Sequence, residues 1–543
     1  MSFEVKDVDL LGRIGKLRTK SGTVETPMLF PVINPNLQFI SPKEIRRNFG
    51  FEALITNAYI LRRRFQDQPA EKGIHDFLDF DGIVMTDSGA YQILVYGGVE
   101  VTPEEIVKYQ ERIGVDIATI LDWPTGWNVN RSHAEYTVEE TLGRAKDFFK
   151  IRTRDDIIWV GPVQGGRFLD LVARSAAEMG KLPFQIHALG SPTEVMERYR
   201  FDVLVDMIMT AKMNLPISRP LHLFGAGHPF MFSLAVALGC DMFDSAAYAI
   251  YARDGRYMTE GGTIRLEELE YFPCSCPECW NKTPKDVVEK PKDEQQIFLA
   301  RHNLHACNAE IKRIKQAIKE GRLWEHLQTR AHGHPSLLQA LKKLRKYENF
   351  IEKHSPIVKR SGLFFYSSLD LARPEVVRYK KRIDERYTQP RGARVLLLIP
   401  QTRNKPFHNT ETYKRAVRAL RESLGDYAEK VHICFYAAPF GIVPEELDEV
   451  YPMSQNECTL PPDRETAEYV ASQVAEYISR ASYDIVLFIN DYDNWGDTVL
   501  EASRKACLKR GARFKYYSDK EMWIKAMSVF LKRAMLKGLG DSS

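Results

Sequence analysis

Two aspartates stand where an apolar run gives way to small residues, and each is followed directly by a serine. Asp87-Ser88 follows Met85-Thr86, and Asp244-Ser245 follows Phe243. Displacement at a sugar carbon needs two carboxylates of this kind, because one can attack the carbon while the other moves protons. Asp87 and Asp244 are therefore the candidate catalytic residues.

A second candidate site is the cluster Cys274-Ser-Cys276-Pro-Glu-Cys279, which places three thiols on one short loop. Eight cysteines in 543 residues are too sparse for a disulfide scaffold, so a metal site is the better interpretation and unligated thiols are the alternative. A tetrahedral zinc needs a fourth ligand, for which His302 and His305 compete. Four protein ligands leave no open position, so such a zinc is structural.

Length and composition limit the class of protein. A chain of 543 residues must contain two domains or more, and its 44% hydrophobic and 27% charged residues are typical of globular proteins. The sequence has neither a long apolar run nor a basic, apolar leader, so we expect a cytoplasmic protein without a membrane segment. With a net charge of only +4, a nucleic-acid surface requires local clusters of basic residues.

Short apolar strands alternate with helices over the first half of the chain. The predicted strands are Met28–Ile33, Ala53–Asn57, Gly82–Thr86, Ile117–Leu121, Ile158–Val163, Phe184–Ala188, Leu221–Phe224 and Asp241–Phe243. The predicted helices include Pro103–Arg112, Val138–Phe149, Leu169–Met179, Ser191–Arg198 and Pro229–Leu238. This alternation predicts an α/β fold, a (β/α)₈ TIM barrel whose active site lies at the carboxyl ends of the strands.

Small and polar residues stand at, or just past, the ends of these predicted strands. They are Asn57, Asp87, Asp122, Gln164, Gly190-Ser191, Gly225-Ala-Gly227 and Asp244. Aspartate and glycine are common in any turn, which is the alternative explanation for each of them taken singly. The complete ring favours a site at the barrel mouth.

Three motifs carry a resemblance to the tRNA-guanine transglycosylases, and to their archaeal branch in particular. They are Asp87-Ser-Gly-Ala-Tyr-Gln92, Gln164-Gly-Gly166, and Phe243-Asp-Ser245 followed by Arg253-Asp-Gly-Arg-Tyr-Met-Thr259. The resemblance covers roughly residues 1 to 350. It implies an enzyme that replaces guanine at D-loop position 15 of tRNA with free 7-cyano-7-deazaguanine (preQ0), through a covalent enzyme–tRNA intermediate, as the first tRNA step of archaeosine biosynthesis.

The resemblance also implies roles for individual residues. Asp244 would be the nucleophile and Asp87 the proton carrier, although the sequence leaves the reverse assignment open. The substrate-binding residues would be Ser88, Asp122, Gln164, Gly165, Ala188, Gly190 and Ser191. A carboxylate and an amide suit the Watson–Crick edge of guanine, which offers N–H donors and one carbonyl.

One residue of this site differs from the family pattern, and the roles of two tyrosines stay open. Members of the family usually have glycine where Ser191 stands, so this turn either contacts the base or is an ordinary strand-to-helix junction. Tyr248 and Tyr251 serve either core packing or base stacking. The resemblance selects His302 as the fourth ligand, which gives one structural Zn²⁺ on Cys274, Cys276, Cys279 and His302.

We expect three segments in the chain. Residues 1–355 form the catalytic barrel with a zinc-binding subdomain at about 270–350, residues 356–390 a linker, and residues 391–543 a smaller α/β domain. The last domain has predicted strands at Arg394–Pro400, Val431–Tyr436 and Tyr483–Ile489, and helices at Glu411–Leu424 and Ala467–Ser479. It resembles a domain shared with archaeosine synthase but lacks that enzyme's thiol near Pro400, so we expect no second activity.

The expected partners are tRNA and the free deazaguanine base, with the chain as a homodimer. The basic repeats at Ile311–Lys319 and Leu341–Lys346 would face phosphates, or are simply solvated. The chain closes on a basic helix, Met522–Leu539, with no RNA-binding module of the PUA type after it. Either a separate PUA-containing or archaeosine-forming subunit assists, or the basic tail does part of that work.

Two rival functions remain. One is a non-catalytic tRNA-binding scaffold paralogue, which the presence of Asp87, Asp122, Gln164 and Asp244 disfavours. The other is exchange of a queuine-type base at the anticodon, which the archaeal type of C-terminal domain disfavours.

Overall fold

A computed structural model describes residues 2–90, 92–93, 100–518 and 523–538. Tyr91 of the first motif, and Met522 and Leu539 at the ends of the predicted terminal helix, lie outside these residues. The chain divides into two compact units. The first is Met1–Phe350 with His354–Pro356, and the second is Ile351–Lys353 with Ile357–Ser543.

The first unit is built on a closed barrel of parallel strands. Its strands are β1 (Ser2–Asp9), β2 (Gly12–Arg18), β3 (Thr23–Thr26), β4 (Met28–Ile33), β5 (Ala53–Asn57), β6 (Ile83–Asp87), β7 (Ile117–Thr119), β8 (Ile158–Val163), β9 (Ile186–Leu189), β10 (Leu221–Leu223), β11 (Met242–Ser245), β12 (Arg256–Met258) and β13 (Thr263–Arg265). Strands β4 to β11 pair in sequence order, and β11 closes the ring against β4. The predicted TIM barrel is confirmed, with β4, β5 and β8 at the predicted bounds.

Helices follow the barrel strands and continue into the subdomain after β13. Their bounds are Pro42–Phe49, Ala58–Phe65, Gln68–Lys72, Ile74–Leu78, Pro103–Ile113, Arg131–Ile151, Leu169–Lys181, Thr193–Glu197, Phe201–Asn214, Pro229–Ala237, Ala247–Arg253, Pro284–Val288, Lys292–Glu320, Leu323–Ala331, Pro335–Lys343 and Glu348–His354, with 3-10 turns at Leu266–Glu268 and Leu344–Tyr347. Helix Arg131–Ile151 begins seven residues before its predicted start at Val138, because the Asn130 side chain caps it by accepting the His133 backbone N–H.

The antiparallel sheet β1-β2-β3 precedes the barrel and was not predicted. Leu17 and Val24 from this sheet pack in one apolar cluster with Phe30 and Ile55 of the barrel interior. Since β3 leads directly into β4, the sheet fills the amino end of the barrel. The carboxyl end is left for the site.

The long helix Lys292–Glu320 holds together the segments that follow β11. The buried side chain of Asn303 accepts a hydrogen bond from the Met258 backbone N–H at 2.9 Å. Its amide group donates to the carbonyl oxygens of Tyr248 and Arg256, both at 3.2 Å. One side chain thus fixes the hairpin β12–β13 and the helix Ala247–Arg253 together.

The second unit is an α/β domain with a five-stranded main sheet and a separate pair of parallel strands, β14 and β18. Its strands are β14 (Leu363–Phe365), β15 (Val395–Pro400), β16 (Val431–Ala437), β17 (Gly441–Pro444), β18 (Asn456–Cys458), β19 (Ile485–Asn490) and β20 (Arg513–Ser518). The main sheet has the order β17-β16-β15-β19-β20, with β17 antiparallel to β16 and the other neighbours parallel. Its helices are Pro374–Glu385, Glu411–Leu424, Arg464–Arg480, Tyr492–Trp495, Thr498–Arg510 and Trp523–Gly538, with 3-10 turns at Ser368–Ala372, Phe407–Asn409, Gly425–Lys430 and Glu445–Leu447.

The segment 356–390, predicted to be a linker, is folded. It contains β14 and the helix Pro374–Glu385. Leu363 and Phe365 of β14, and Val376 and Tyr379 of the helix, are buried in the apolar core of the second unit. Their spacing matches one strand face and one helix face, a signal hidden by the many charges between them. Within the described ranges, no helix combines the length and apolar character that crossing a membrane requires.

Candidate active site

A cavity of about 940 Å³ lies at the carboxyl ends of the barrel strands. Of the residues predicted to bind or react with substrate, those on its lining are Asp87, Asp122, Gln164, Gly190, Ser191 and Asp244. Asp87 ends β6, Gln164 follows β8 directly, and Asp244 lies in β11. The barrel therefore brings three carboxylates from distant parts of the sequence to one cavity.

Asp87 is held by Asn57, the last residue of the neighbouring strand β5. The Asn57 amide group donates hydrogen bonds to the Asp87 carboxylate at 2.9 Å and to the Gln92 side-chain oxygen at 3.0 Å. The amide oxygen of Asn57 accepts from the Ile60 backbone N–H and so caps the next helix. Asn57 is thereby fixed on both sides, and it orients Asp87.

The Asp87 carboxyl has a strongly altered acidity. Burial is the largest cause, and the nearby charges of Asp122 and Asp244 add to it, so that the pKa of Asp87 rises from 3.8 to about 7. Hydrogen bonds from the backbone of Gly89 and Ser88 oppose this rise. Near neutral pH the group can both give and take a proton.

Asp244 has a different environment. The His222 ring nitrogen Nε2 lies 2.7 Å from Asp244 Oδ1, and the Gly225 backbone N–H donates to the same oxygen at 3.1 Å. His222 is fully buried, with its ring between those of Phe30 and Phe224 at centroid distances of 5.7 and 4.8 Å. Two contacts thus fix one carboxylate oxygen of Asp244, while the residue still lines the cavity.

His222 was not predicted from the sequence. It lies inside the short apolar strand β10, and in sequence it looks like a core residue. Its contact with Asp244 arises because β10 and β11 are parallel neighbours, with His222 paired to Met242. Only the strand order could have revealed this contact.

Asp122 and Gln164 form a buried pair. The Gln164 amide group donates to the Asp122 carboxylate at 2.5 Å, and its oxygen accepts from the Thr125 backbone N–H at 3.0 Å and from the Ser191 hydroxyl at 3.2 Å. Burial raises the pKa of Asp122 to about 6, and the bond from Gln164 works against that rise. The pair presents a carboxylate and an oriented amide to the cavity.

The turn after β9 needs its glycine. A Cβ atom on Gly190 would lie 2.2 Å from the Gln164 side-chain nitrogen, so any side chain there would displace Gln164. Ser191, the next residue, has a φ of +57°, a left-handed conformation that glycine adopts more easily. Its hydroxyl contact with Gln164 shows what the serine adds in this chain.

Ser88, Gly165 and Ala188 lie behind the cavity lining. Ser88 is fully buried, and Ala188 is part of the barrel's apolar interior. The Gly165 backbone N–H donates to the Thr125 hydroxyl at 3.1 Å. These three residues support the wall of the cavity instead of facing it.

Tyr248 and Tyr251 lie on one helix and differ in burial. Tyr248 is 4% exposed, and its hydroxyl donates to the Val32 carbonyl at 3.1 Å, a packing role that the sequence had left open. Tyr251 is half-buried, and both tyrosines line the cavity.

A second cluster can hold a metal ion. The ligand atoms of Cys274, Cys276, Cys279 and His302 all lie within 4.8 Å of one another. His302 Nδ1 is 3.5 Å from Cys276 Sγ and 3.4 Å from Cys279 Sγ, close to the ~3.5 Å that tetrahedral zinc bonds of about 2.3 and 2.0 Å imply. The donor set and its spacing therefore fit a tetrahedral metal site.

The orientation of His302 supports this assignment. Its other nitrogen, Nε2, lies 2.8 Å from the Met258 carbonyl oxygen, which requires a hydrogen on Nε2 and leaves Nδ1 free to ligate. The ring stacks on Tyr257 at a centroid distance of 3.5 Å. His305, the competing candidate, instead contacts the Phe49 ring at 4.6 Å.

The basic helices are less available to phosphate than the sequence suggested. Lys315 pairs with Glu25 at 3.1 Å, and Lys319 with Asp7 at 2.5 Å. Lys343 and Lys346 both pair with Asp206, at 2.5 and 3.1 Å. At these positions the lysines are paired with carboxylates, which come from elements far away in the sequence.

Comparison with known proteins places both units among known families. Residues 8–336 match the family described as Queuine tRNA-ribosyltransferase, and residues 376–521 match a domain of unknown function. The chain is 42% identical over 494 residues, 90% of its length, to a tRNA-guanine(15) transglycosylase from Sulfolobus acidocaldarius, 95% of which is covered. Proteins of the same name from Aeropyrum pernix and Methanocaldococcus jannaschii are 50% and 44% identical over 69% and 84% of this chain, and 74% and 68% of their own lengths are covered.

The metal cluster leads to the first prediction. Cys276→Ser should remove the bound metal ion and lower the thermal midpoint by ~5 °C or more, because a hydroxyl cannot replace the thiolate ligand. Elemental analysis and a thermal melt measure the two effects. Cys458→Ser, at a cysteine of similar exposure outside the cluster, is the control and should keep the metal. Full metal content in Cys276→Ser would contradict the assignment.

The acidity of Asp87 leads to the second prediction. Because the folded protein holds this proton more tightly than the unfolded chain, Asp87 costs stability increasingly as the pH rises from about 4 to about 7. Asp87→Asn removes this cost and should raise the free energy of unfolding at pH 8 by on the order of 1–3 kcal/mol. Urea unfolding at pH 5 and pH 8 should show a larger gain at pH 8. An equal gain in the free energy of unfolding at pH 5 and pH 8 would be evidence against the raised pKa. So would a gain no larger than that of Asp254→Asn, which changes an exposed aspartate.

Proposed function

Because the chain belongs to the Queuine tRNA-ribosyltransferase family, we propose that it exchanges guanine at position 15 of tRNA for free 7-cyano-7-deazaguanine. The observation that carries this proposal is that Asp87, Asp122 and Asp244 share one cavity with Gln164. The reaction would pass through a covalent ester between enzyme and tRNA, and its product would lead to archaeosine.

The environment of Asp244 suits a nucleophile. Its contacts with His222 and Gly225 are both to Oδ1, which leaves Oδ2 for the substrate. In the proposed first step, Oδ2 bonds to C1′ of the nucleotide while the bond from C1′ to guanine N9 breaks and its electron pair leaves with guanine.

Asp87 suits the role of proton carrier. With a pKa raised to about 7, it can donate a proton to the departing guanine and then take the proton from N9 of the incoming base. The deprotonated N9 then attacks C1′, and the ester electrons return to Asp244. The pKa of a proton carrier must lie near the working pH, and the raised pKa of Asp87 meets this requirement.

Asp122 and Gln164 suit recognition of the base. A purine with a guanine-type edge presents N–H donors to a carboxylate and a carbonyl to an amide donor. The buried Asp122–Gln164 pair supplies both groups, and Thr125 and Ser191 fix the orientation of the amide. Hypoxanthine, which lacks the exocyclic amine of guanine, should therefore be a poor substrate.

Zinc suits the cluster of three cysteines and one histidine, and four protein ligands assign it a structural role. When bound, the ion supplies only cross-linking. His302 and Asn303 then connect the cluster to Met258 and Tyr248 near the cavity.

The further partners are part of the same proposal. The substrate partner is tRNA, the active form a homodimer, and a separate PUA-containing or archaeosine-forming subunit assists binding or the next step. The second unit serves as a spacer or a docking platform and has no second activity. The rival proposal, a scaffold paralogue, gives no reason for an acidic group with a pKa near 7 on the cavity wall.

The third prediction tests base exchange. Labelled guanine should enter an unmodified tRNA transcript with the wild-type protein, and Asp244→Asn should abolish incorporation because the ester cannot form. Asp87→Asn should slow it by about 10²- to 10⁴-fold. A transcript with adenine at position 15 should accept no label, and unlabelled 7-cyano-7-deazaguanine should chase label from the normal transcript.

Two results would decide against this proposal. The first is an absence of exchange by a protein that holds its metal and binds tRNA, which would favour the scaffold. The second is equal incorporation with Asp244→Asn. Asp254→Asn, at an exposed aspartate of the same segment, is the control and should behave like the wild type.

The fourth prediction concerns His222. His222→Phe keeps the ring but removes the donor to Asp244, and it should lower kcat by about 10- to 100-fold without changing the KM for tRNA. His222→Gln restores an amide donor and should recover part of the rate. If both variants lose activity only in proportion to lost folded protein, His222 merely fills the core.

A further inference from the structure

One side of the cavity is an aromatic wall, made of Tyr199, His228, Phe230, Tyr251 and His334. The proposed chemistry uses none of these side chains. They come from four separate places in the sequence, so their meeting at one cavity reflects the fold. The wall adjoins the reacting groups, since Tyr251 is on the helix that follows β11, which carries Asp244.

The rings form a chain of contacts. Tyr199 stacks on His334 with a centroid distance of 5.0 Å and an interplanar angle of 21°, and it lies 6.2 Å from Phe230. Phe230 contacts His228 at 4.4 Å, and His228 lies 6.2 Å from Tyr251. The ring planes are inclined by 43° at Tyr199–Phe230, 81° at Phe230–His228 and 50° at His228–Tyr251, so a flat group that stacks on one ring meets its neighbours at an angle.

Tyr199 is unusual in two ways. Its side chain is 50% exposed, and its backbone has a φ of +55°, a region that large residues rarely adopt. Such strain persists only where the surrounding structure enforces it. The fold thus holds an exposed aromatic ring at the cavity at a conformational cost.

An arginine lies beside the wall, and the carboxylates of Glu194 and Glu197 also line the cavity. The Arg256 guanidinium lies 5.7 Å from the centre of the Tyr251 ring, and Arg256 also lines the cavity. Among the ion pairs of the described residues, Arg256 has no carboxylate partner, unlike Lys315 or Lys319. Aromatic faces beside an unpaired cation are typical of sites for single-stranded nucleic acid.

We propose that the aromatic wall binds, by stacking, an unpaired tRNA base adjacent in the chain to the nucleotide whose base is exchanged. This inference rests on the proposed function, because a nucleotide extruded into the cavity draws its neighbour out of the helical stack. The neighbour then needs a surface to replace the stacking that it has lost. The wall supplies that surface without reading the identity of the base.

The fifth prediction tests this subsite with Tyr199→Asn, because asparagine tolerates the left-handed backbone but has no ring. The KM for tRNA should rise by about 5- to 100-fold while the KM for free guanine stays unchanged. Tyr199→Phe keeps the stacking face and should behave like the wild type. Tyr136→Asn is the matched control, since Tyr136 is 48% exposed and lies outside the cavity lining.

A fluorescence measurement separates this inference from the proposed function. Transcripts carry 2-aminopurine at the position before or after the exchanged nucleotide, and the wild type should quench one of them on binding. Tyr199→Asn should lose that quenching. If the wild type does not exchange guanine, the proposed function fails, but the quenching still tests the wall. Unchanged quenching and unchanged KM for tRNA in Tyr199→Asn, or a rise in the KM for guanine alone, would overturn the subsite.

Discussion

Three carboxylates that face one sheltered cavity dominate the site. Burial is the largest cause of the raised pKa values of Asp87 and Asp122, and the charges of Asp122 and Asp244 raise the pKa of Asp87 further. Each of the three carboxylates has its own hydrogen-bonding partner. Asn57 supplies one to Asp87, Gln164 to Asp122, and a buried histidine with a backbone N–H to Asp244. In these surroundings the pKa of Asp87 is raised to about 7 and that of Asp122 to about 6. The requirement for positioned partners explains why polar side chains extend well behind the cavity lining.

The metal cluster and the cavity are mechanically connected through neighbouring residues of one helix. His302 belongs to the cluster and contacts the Met258 carbonyl, while Asn303 binds the Met258 N–H and the Tyr248 carbonyl. Tyr248 in turn binds Val32 at the end of β4. The subdomain therefore sets the position of the helix that follows Asp244. A buried asparagine with all its hydrogen-bonding groups satisfied is well suited to this task, because any shift would leave polar groups unpaired.

Sequence patterns predicted the barrel and most of the cavity lining, because parallel strands end at one face and polar residues at those ends must converge. Contacts between neighbouring strands were harder to foresee. His222 looks like a core residue until β10 and β11 are placed side by side. Ion pairs were missed for a similar reason, because their partners can be far apart in the sequence, as Lys319 and Asp7 are. The folded segment 356–390 was missed because charged residues obscure its apolar spacing.

Closure of the barrel determines when the site can assemble during synthesis of the chain. Strand β11, which carries Asp244, pairs with β4, the first strand of the barrel. This pairing therefore joins the two barrel strands that are farthest apart in the sequence. Contacts of such long range form late, because the intervening chain must be ordered first. A nascent chain emerging from the ribosome therefore carries Asp87 and Asp122 before it can have a reactive centre. Incomplete or truncated chains thus carry Asp87 and Asp122 without Asp244, the nucleophile of the proposed reaction.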